Sequence, residues 1–379
     1  MQVSPGLEQL LLHHLAQVRG RRVGLITNAS SVLPDLTDTQ TALHAAGIHL
    51  VALFSPEHGL YGVEPDGAAV TSGRGPEGLP VHSLYGETCR PTPEMLASLD
   101  VLLFDIQDVG ARFYTYIWTM SLALEAAAEA GLAFIVLDRP DPIRADRVEG
   151  NILDPKYASF VGQFPVALRY GLTPGELLRY LVGTGEFSAQ VTVVPMKGYR
   201  RSMWYDETGI PWIDPSPNLR NPDAALLYTM TVFFEGTNAT EGRGTDDPFT
   251  LVGASWLTDA GAIAAELNAM KLPGLRFDST SRSVEPGFKF GGQTIPMIKV
   301  IVTDRDHVRA PESGLRMLRA IYARHVKEWQ WRERQIDRLA GTDELRAAVE
   351  QGTVDALVKK WDAQAKAFEA TRKPFLLYR

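Results

Sequence analysis

The chain has 379 residues, 45% of them hydrophobic and 22% charged, with a formal net charge of −7 and a mean hydropathy of −0.09. Such a chain is globular and long enough for two domains of ordinary size, and its scattered acidic balance excludes the basic footprint of a nucleic-acid binder. The single cysteine, Cys89, excludes an internal disulfide framework and a multi-thiolate metal site, and no apolar run reaches the roughly 18 residues that a membrane span needs.

Residues 1–12 lack the basic, long apolar and small-residue regions of a secretory signal. The expectation is a cytoplasmic protein as written, or a periplasmic or secreted one if a leader has been removed. From there strands and helices alternate: a strand over residues 23–27, a helix over 38–46, a strand over 48–54, a short strand over 79–84, a strand over 100–105, an alanine-rich helix over 116–130 and a strand over 132–137. Strand runs that are apolar throughout suit a parallel sheet covered on both faces. The predicted fold is α/β, with a Rossmann-like, doubly wound domain over residues 1–145. Its first strand runs into Asn28-Ala29-Ser30-Ser31 without the glycine fingerprint of a dinucleotide or triphosphate site, so no cofactor is expected. Asn28 and its neighbours either offer backbone N–H groups to a ligand or cap the following helix.

After residue 146 the pattern changes to a loop-rich stretch over 149–175, closed by a helix start in which Thr173 is the N-cap, Pro174 the first helical residue and Glu176 the reciprocal partner. Strands are expected over 190–195, 229–234, 274–278 and 294–302, helices over 259–270 and 311–325, and one amphipathic helix over 336–370. This half, 146–379, reads as an α+β domain whose loops complete a cleft with the first.

Ligands of open α/β sheets bind at the carboxyl ends of the strands, and three polar segments fall there. In Ser55-Pro56-Glu57-His58-Gly59, Pro56 stiffens the chain and Gly59 loosens it, aiming Glu57 into the crevice beside Phe54 and Leu60. A carboxyl group sheltered from water favours its protonated form, as a general acid requires; the bland alternative is a capping or surface glutamate. His58 is either a partner of that acid or a structural histidine. In the second segment Asp105 and Asp108 are candidate catalytic carboxylates, or Asp105 pairs with Arg112 to lock the loop. Gln107, Tyr114 and Tyr116 offer neutral donors of the kind that bind sugar hydroxyls or an acetamido group. In the third, Arg139 pairs with a substrate anion or with a neighbouring carboxylate.

A fourth polar segment, residues 234–249, follows an apolar run and holds Arg243 between Gly242 and Gly244. A guanidinium exposed in this way matches a carboxylate bidentately. Glu235, Asn238 and Glu241 would contact hydroxyls or supply a second carboxylate. Trp204, Trp212, Trp256, Tyr199 and Tyr228 offer faces for a sugar ring, or simply core. A metal set drawn from Glu57, His58, Asp105 and Asp108 is opposed by the eight histidines, none of which forms an H-x-H or H-x-x-x-H pair; no metal is expected. A binding protein that captures acidic sugars without turnover is the other rival.

The segments Leu25-Ile-Thr-Asn-Ala-Ser30, Phe54-Ser-Pro-Glu-His-Gly59, Phe104-Asp-Ile-Gln-Asp-Val-Gly-Ala-Arg-Phe-Tyr-Thr-Tyr116, Asp138-Arg-Pro140 and Phe234-Glu-Gly-Thr-Asn-Ala-Thr-Glu-Gly-Arg-Gly-Thr245 together resemble the DUF1343 family, the exo-β-N-acetylmuramidases of the NamZ type. The motifs are long, keep their order and span residues 24–256, and with the C-terminal region matched in length the resemblance covers nearly the whole chain. The resemblance implies release of terminal N-acetylmuramic acid from the non-reducing end of peptidoglycan fragments (muropeptides), in a cleft shared by a Rossmann-like domain and a second subdomain, with Glu57 catalytic. It also gives Arg243 a purpose, because muramic acid carries a lactyl carboxylate. Whether hydrolysis is retaining, inverting or assisted by the substrate's acetamido group stays open, with Asp105, Asp108 or Glu241 as the second carboxylate. The family is commonly exported.

Overall fold

Buried runs of Val, Leu, Ile and Phe form the central sheet of the computed structural model, which describes residues 2–379. In chain order its first strands are β1 (Val23–Thr27), β2 (Leu50–Ser55), β3 (Gly73–Arg74), β4 (Pro80–Ser83), β5 (Val101–Asp105) and β6 (Ala133–Leu137). The chain then leaves to make an antiparallel pair, β7 (Glu149–Ile152) and β8 (Ala167–Arg169), and returns as β9 (Val191–Val194). The strand order is β3-β4-β2-β1-β5-β6-β9, parallel everywhere except at β3. Apart from that edge strand, this is doubly wound connectivity, in which the order reverses between β1 and β5.

β9 falls in the stretch that the sequence assigned to the second domain, yet it pairs in parallel with β6, Phe134 opposite Val191. The sheet therefore does not end within the first 145 residues. A parallel neighbour needs a long crossover, and here the β7–β8 pair and the helix Pro174–Gly183 supply it. That helix starts with the expected capping box: Thr173 accepts from the Glu176 N–H and Glu176 accepts from the Thr173 N–H.

The second half holds an antiparallel sheet of β10 (Leu251–Gly253), β11 (Leu275–Ser283) and β12 (Thr294–Val302), in the order β10-β12-β11. Two expectations need correction here. Residues 229–234 are not a strand. They belong to the helix Pro222–Thr231 and the 3₁₀ stretch Val232–Gly236, begun by Asn221, whose side chain accepts from the Ala224 N–H, with Pro222 at the first position. Every residue from 224 to 234 is buried, so no polar face marks a helical period. The single helix expected over 336–370 is three helices, Glu333–Ala340, Glu344–Gln351 and Val354–Arg372. Gly341 (φ 67°) and Gly352 (φ 72°) stop the first two in the left-handed conformation that glycine adopts without penalty.

One apolar core joins the halves, running from Phe54 and Phe104 of the first sheet through Leu227 and Phe233 to Leu315 and Trp361. The far end of the chain is stitched back onto the first sheet. The Tyr378 hydroxyl donates to Asp138 Oδ2 at 2.6 Å and accepts from the Met196 N–H at 2.9 Å, and the Leu377 N–H donates to Glu176 Oε1 at 2.8 Å. Among the described residues no helix is long and apolar enough to cross a membrane.

Candidate active site

At the carboxyl end of β2 the chain turns sharply through Pro56, Glu57 and His58, the last in the left-handed region at φ 67° and followed by Gly59 at φ 75°. This turn folds residues 59–75 back over the strand end. Glu57 is 8% exposed. Its Oε1 accepts from the Gly67 N–H at 2.9 Å and its Oε2 from the Thr115 hydroxyl at 2.8 Å, so loops after β2 and β5 grip one carboxyl group. His58 Nδ1 lies 2.7 Å from the Glu64 carbonyl and therefore carries hydrogen, which turns Nε2 toward Asp66 Oδ1 at 3.7 Å.

Opposite stands the loop after the 3₁₀ stretch. Arg243 donates through Nη1 to Glu235 Oε1 and Glu241 Oε1, each at 2.7 Å, and its Nε is 2.6 Å from Asp66 Oδ2. Its guanidinium lies 4.7 Å above the Phe249 ring, a cation–π contact. Behind it the Lys289 ammonium donates to the carbonyls of Phe234, Thr237 and Ala239 and stands 3.7 Å from Glu241 Oε2. Burial pushes the Glu235 carboxyl up to about 7 in spite of Arg243. Burial acts in the same sense on Glu241, but there Arg243 and Lys289 outweigh it and hold the carboxyl below its ordinary value. Between the two walls is a cavity of 260 Å³, lined by Glu57, His58 and Asp66 on one side and Glu235 and Arg243 on the other, with Tyr114 and Tyr228 between them. The Tyr114 hydroxyl, buried and without a hydrogen-bond partner among the described residues, keeps its proton far above the usual range because it is desolvated.

The cavity thus brings together Glu57, His58, Tyr114, Glu235 and Arg243, with Glu241 directly behind the arginine. The other candidates lie elsewhere. Asp105 is wholly buried, bonded to Arg139 through both oxygens and to the Thr39 hydroxyl at 2.6 Å. Its partner is Arg139, not Arg112, and neither member of the pair is free for a ligand. Asp108 accepts from the Tyr170 hydroxyl and the Gly110 N–H, and its burial raises the carboxyl to about 6 without giving it access to the cavity. Gln107 donates to the carbonyls of Asp108 and Pro140.

Arg112 bridges the carbonyls of Asn151, Val166 and Ala340, and burial brings its guanidinium down to about 9. Tyr116 donates to the Pro215 carbonyl. Asn28 accepts from the Ser30 N–H and hydroxyl, closing the turn after β1, and Asn238 ties its loop to residues 328 and 330. The pairings of Asn28, Asp105, Gln107 and Asp108 occupy the ends of β1 and β5, and the open space lies toward β2 and Arg243. The rival metal set of Glu57, His58, Asp105 and Asp108 does not converge, and among the described residues no group of three His, Cys, Asp or Glu side chains is arranged to hold an ion.

Of the five aromatics considered for stacking, only Tyr228 reaches the cavity. Sequence reasoning missed Asp66, Gly67 and Thr115. The signal for the first two was the glycine-rich return loop itself, with Gly59, Gly62 and Gly67 all at positive φ.

A doubly wound sheet that presents a sheltered carboxyl group to a cavity, with an arginine on the opposing wall, defines an α/β enzyme with a two-part cleft. The comparisons with known proteins give this class a narrower address. Residues 23–223 match the family model described as exo-beta-N-acetylmuramidase NamZ, N-terminal, and residues 226–378 the corresponding C-terminal model. The chain belongs to the NamZ family, as its motifs suggested. The two models meet at the start of the helix Pro222–Thr231, well beyond β9.

The peptidoglycan beta-N-acetylmuramidase NamZ of Bacillus subtilis (strain 168) is 41% identical over 381 residues, covering 99% of this chain and 91% of that protein. Two solved DUF1343 family proteins of Bacteroides fragilis NCTC 9343 share the fold. One has a TM-score of 0.90 at 35% identity and the other 0.78 at 28%, each match covering 100% of this chain and 99% of the other.

Proposed function

We propose that this chain is an exo-β-N-acetylmuramidase, a glycosidase that releases terminal β-1,4-linked N-acetylmuramic acid from the non-reducing end of peptidoglycan fragments, and that the Glu57 cavity is its active site. The observation that carries this reading is the Glu57 carboxyl, steadied by Thr115 and Gly67 and facing Arg243 across the cavity. Glu57 is the general acid that protonates the glycosidic oxygen. Arg243, whose hydrogen bonds to Glu235 and Glu241 both leave from Nη1, holds the lactyl carboxylate. A cavity of 260 Å³ is small for a ligand pocket and suits one terminal sugar better than a run of sugars.

With Asp105 and Asp108 enclosed, Glu235 and Asp66 are the further carboxyls that line this space. In substrate-assisted glycosidases the acetamido oxygen of the sugar itself takes the place of the carboxylate nucleophile.

The test is hydrolysis of a chromogenic β-N-acetylmuramide beside its β-N-acetylglucosaminide counterpart. Release is expected from the muramide, and Glu57→Gln should lower kcat by at least about a hundredfold, the scale of a removed acid–base group. A Glu57→Gln enzyme within about tenfold of the parent would refute the acid assignment. Equal rates on the two sugars would refute Arg243 as the anchor.

A further inference from the structure

Three carboxylates surround the one guanidinium that the proposed function reserves for the substrate's own carboxylate, and they are not equivalent. The Glu241 side chain is 4% exposed and Glu235 17%, whereas Asp66 is 33% exposed. Glu235 and Glu241 both bind Nη1, Glu235 from the 3₁₀ stretch Val232–Gly236 and Glu241 from the loop that carries Arg243. Asp66 comes from the opposite wall, meets Nε, and stands on an exposed segment, residues 63–67. The backbone of that segment is fixed on either side, by Glu64 N–H to the His58 carbonyl and Val70 N–H to the Tyr85 carbonyl. Between those points Asp66 is held by Asn218 Nδ2 at 3.0 Å and by Arg243, with His58 Nε2 3.7 Å away.

We infer that Asp66 is a specificity residue that occupies, in the free enzyme, the place at Arg243 which the substrate's carboxylate takes on binding. The inference rests on the reading of Arg243 as the anchor. An anionic sugar exchanges one carboxylate for another and leaves the charge around the guanidinium unchanged. A neutral sugar has nothing to exchange, so Asp66 stays where it is. The neighbouring residue adds a second consequence, because the Gly67 N–H is bonded to Glu57. When Asp66 withdraws, Gly67 is drawn off the acid, so recognition of the carboxylate uncovers the proton donor. A ligand moves such an equilibrium only by its differential affinity for the two states, and here the differential is the carboxylate itself.

The experiment measures binding of N-acetylmuramic acid and N-acetylglucosamine to the full chain by calorimetry, for the parent, Asp66→Asn and Asp66→Ala. Removing the internal competitor should tighten N-acetylmuramic acid by about three- to fivefold, the scale of a partly exposed ion pair, and leave N-acetylglucosamine unchanged. Weaker binding of N-acetylmuramic acid in both variants would overturn the proposal, since Asp66 would then orient Arg243 and not compete for it. Equal tightening of both sugars would also overturn it, because loop opening alone would explain the gain, and so would no change in either. A parent protein that binds N-acetylmuramic acid no better than N-acetylglucosamine would instead refute the anchor reading of Arg243 on which the proposal rests. Thermal unfolding of each variant separates these outcomes from a failure to fold.

Discussion

Asp105→Asn separates a structural carboxylate from a catalytic one. Asp105 and Arg139 are both wholly buried, joined through both carboxylate oxygens, and the Thr39 hydroxyl completes the set. Breaking a buried pair from one side costs about 3–5 kcal/mol, because the remaining charge stays desolvated without compensation. Asparagine keeps one acceptor oxygen, which places this variant near the lower end. For 379 residues unfolding as one unit, an entropy of about 2.1 cal/mol/K per residue amounts to about 0.8 kcal/mol per degree, so Tm should fall by about 4 °C. Because Asp105 has no access to the cavity, kcat on the muramide should stay within about twofold, far from the hundredfold scale of a lost acid–base group. Adding Arg139→Met removes the stranded charge and should restore part of the lost stability. A hundredfold loss of kcat with Tm unchanged would refute the placement and return Asp105 to the chemistry.

Two further perturbations probe the frame. Gly341→Ala forces a side chain into the left-handed region, with its Cβ 2.7 Å from both Arg112 Nη2 and Leu153 Cδ1; the urea midpoint should drop by an amount equivalent to about 1–2 kcal/mol with the slope unchanged, and an unmoved midpoint would contradict the cap. Asp141 is buried with Oδ2 lacking a hydrogen-bond partner among the described residues, and burial pushes its carboxyl up from 3.8 to about 7. A carboxyl whose folded value is raised adds stability that is present below its unfolded value and lost as pH climbs through the folded one. The Tm of the parent should therefore decline between pH 4 and 7 more than that of Asp141→Asn, and parallel curves would count against the shift.

Much of the frame was legible because its signals were local. The apolar runs of β1, β2, β5, β6 and β12 are bounded by turn residues, and Thr173, Pro174 and Glu176 announce a helix start by their own chemistry. Elements whose signal depends on surroundings were harder. The helix Pro222–Thr231 is buried on every side, so its period is silent, and Gly341 and Gly352 look like tolerable interruptions until their φ angles are known. The same division runs through the site. Glu57 and Arg243 stood out because proline and glycine leave their side chains free to project. Asp105, Gln107 and Asp108 carry the same polar signature, but a strand covered on both faces does not reveal which way its last residues point. Asp66 was invisible because its meaning lies in a contact with Arg243, remote in sequence and on the other wall.

The stitching of residues 377 and 378 to Glu176, Asp138 and Met196 has a consequence for how the protein comes to be made. The outer margin of the first sheet cannot be sealed until translation has passed its last aromatic residue, Tyr378. A fragment cut near residue 223, where the family models part, would contain every strand of that sheet yet leave buried Asp138 without the Tyr378 hydroxyl and buried Glu176 without the Leu377 N–H. Expressed alone, such a fragment should be prone to association, and adding the missing half in trans is the natural way to quiet it.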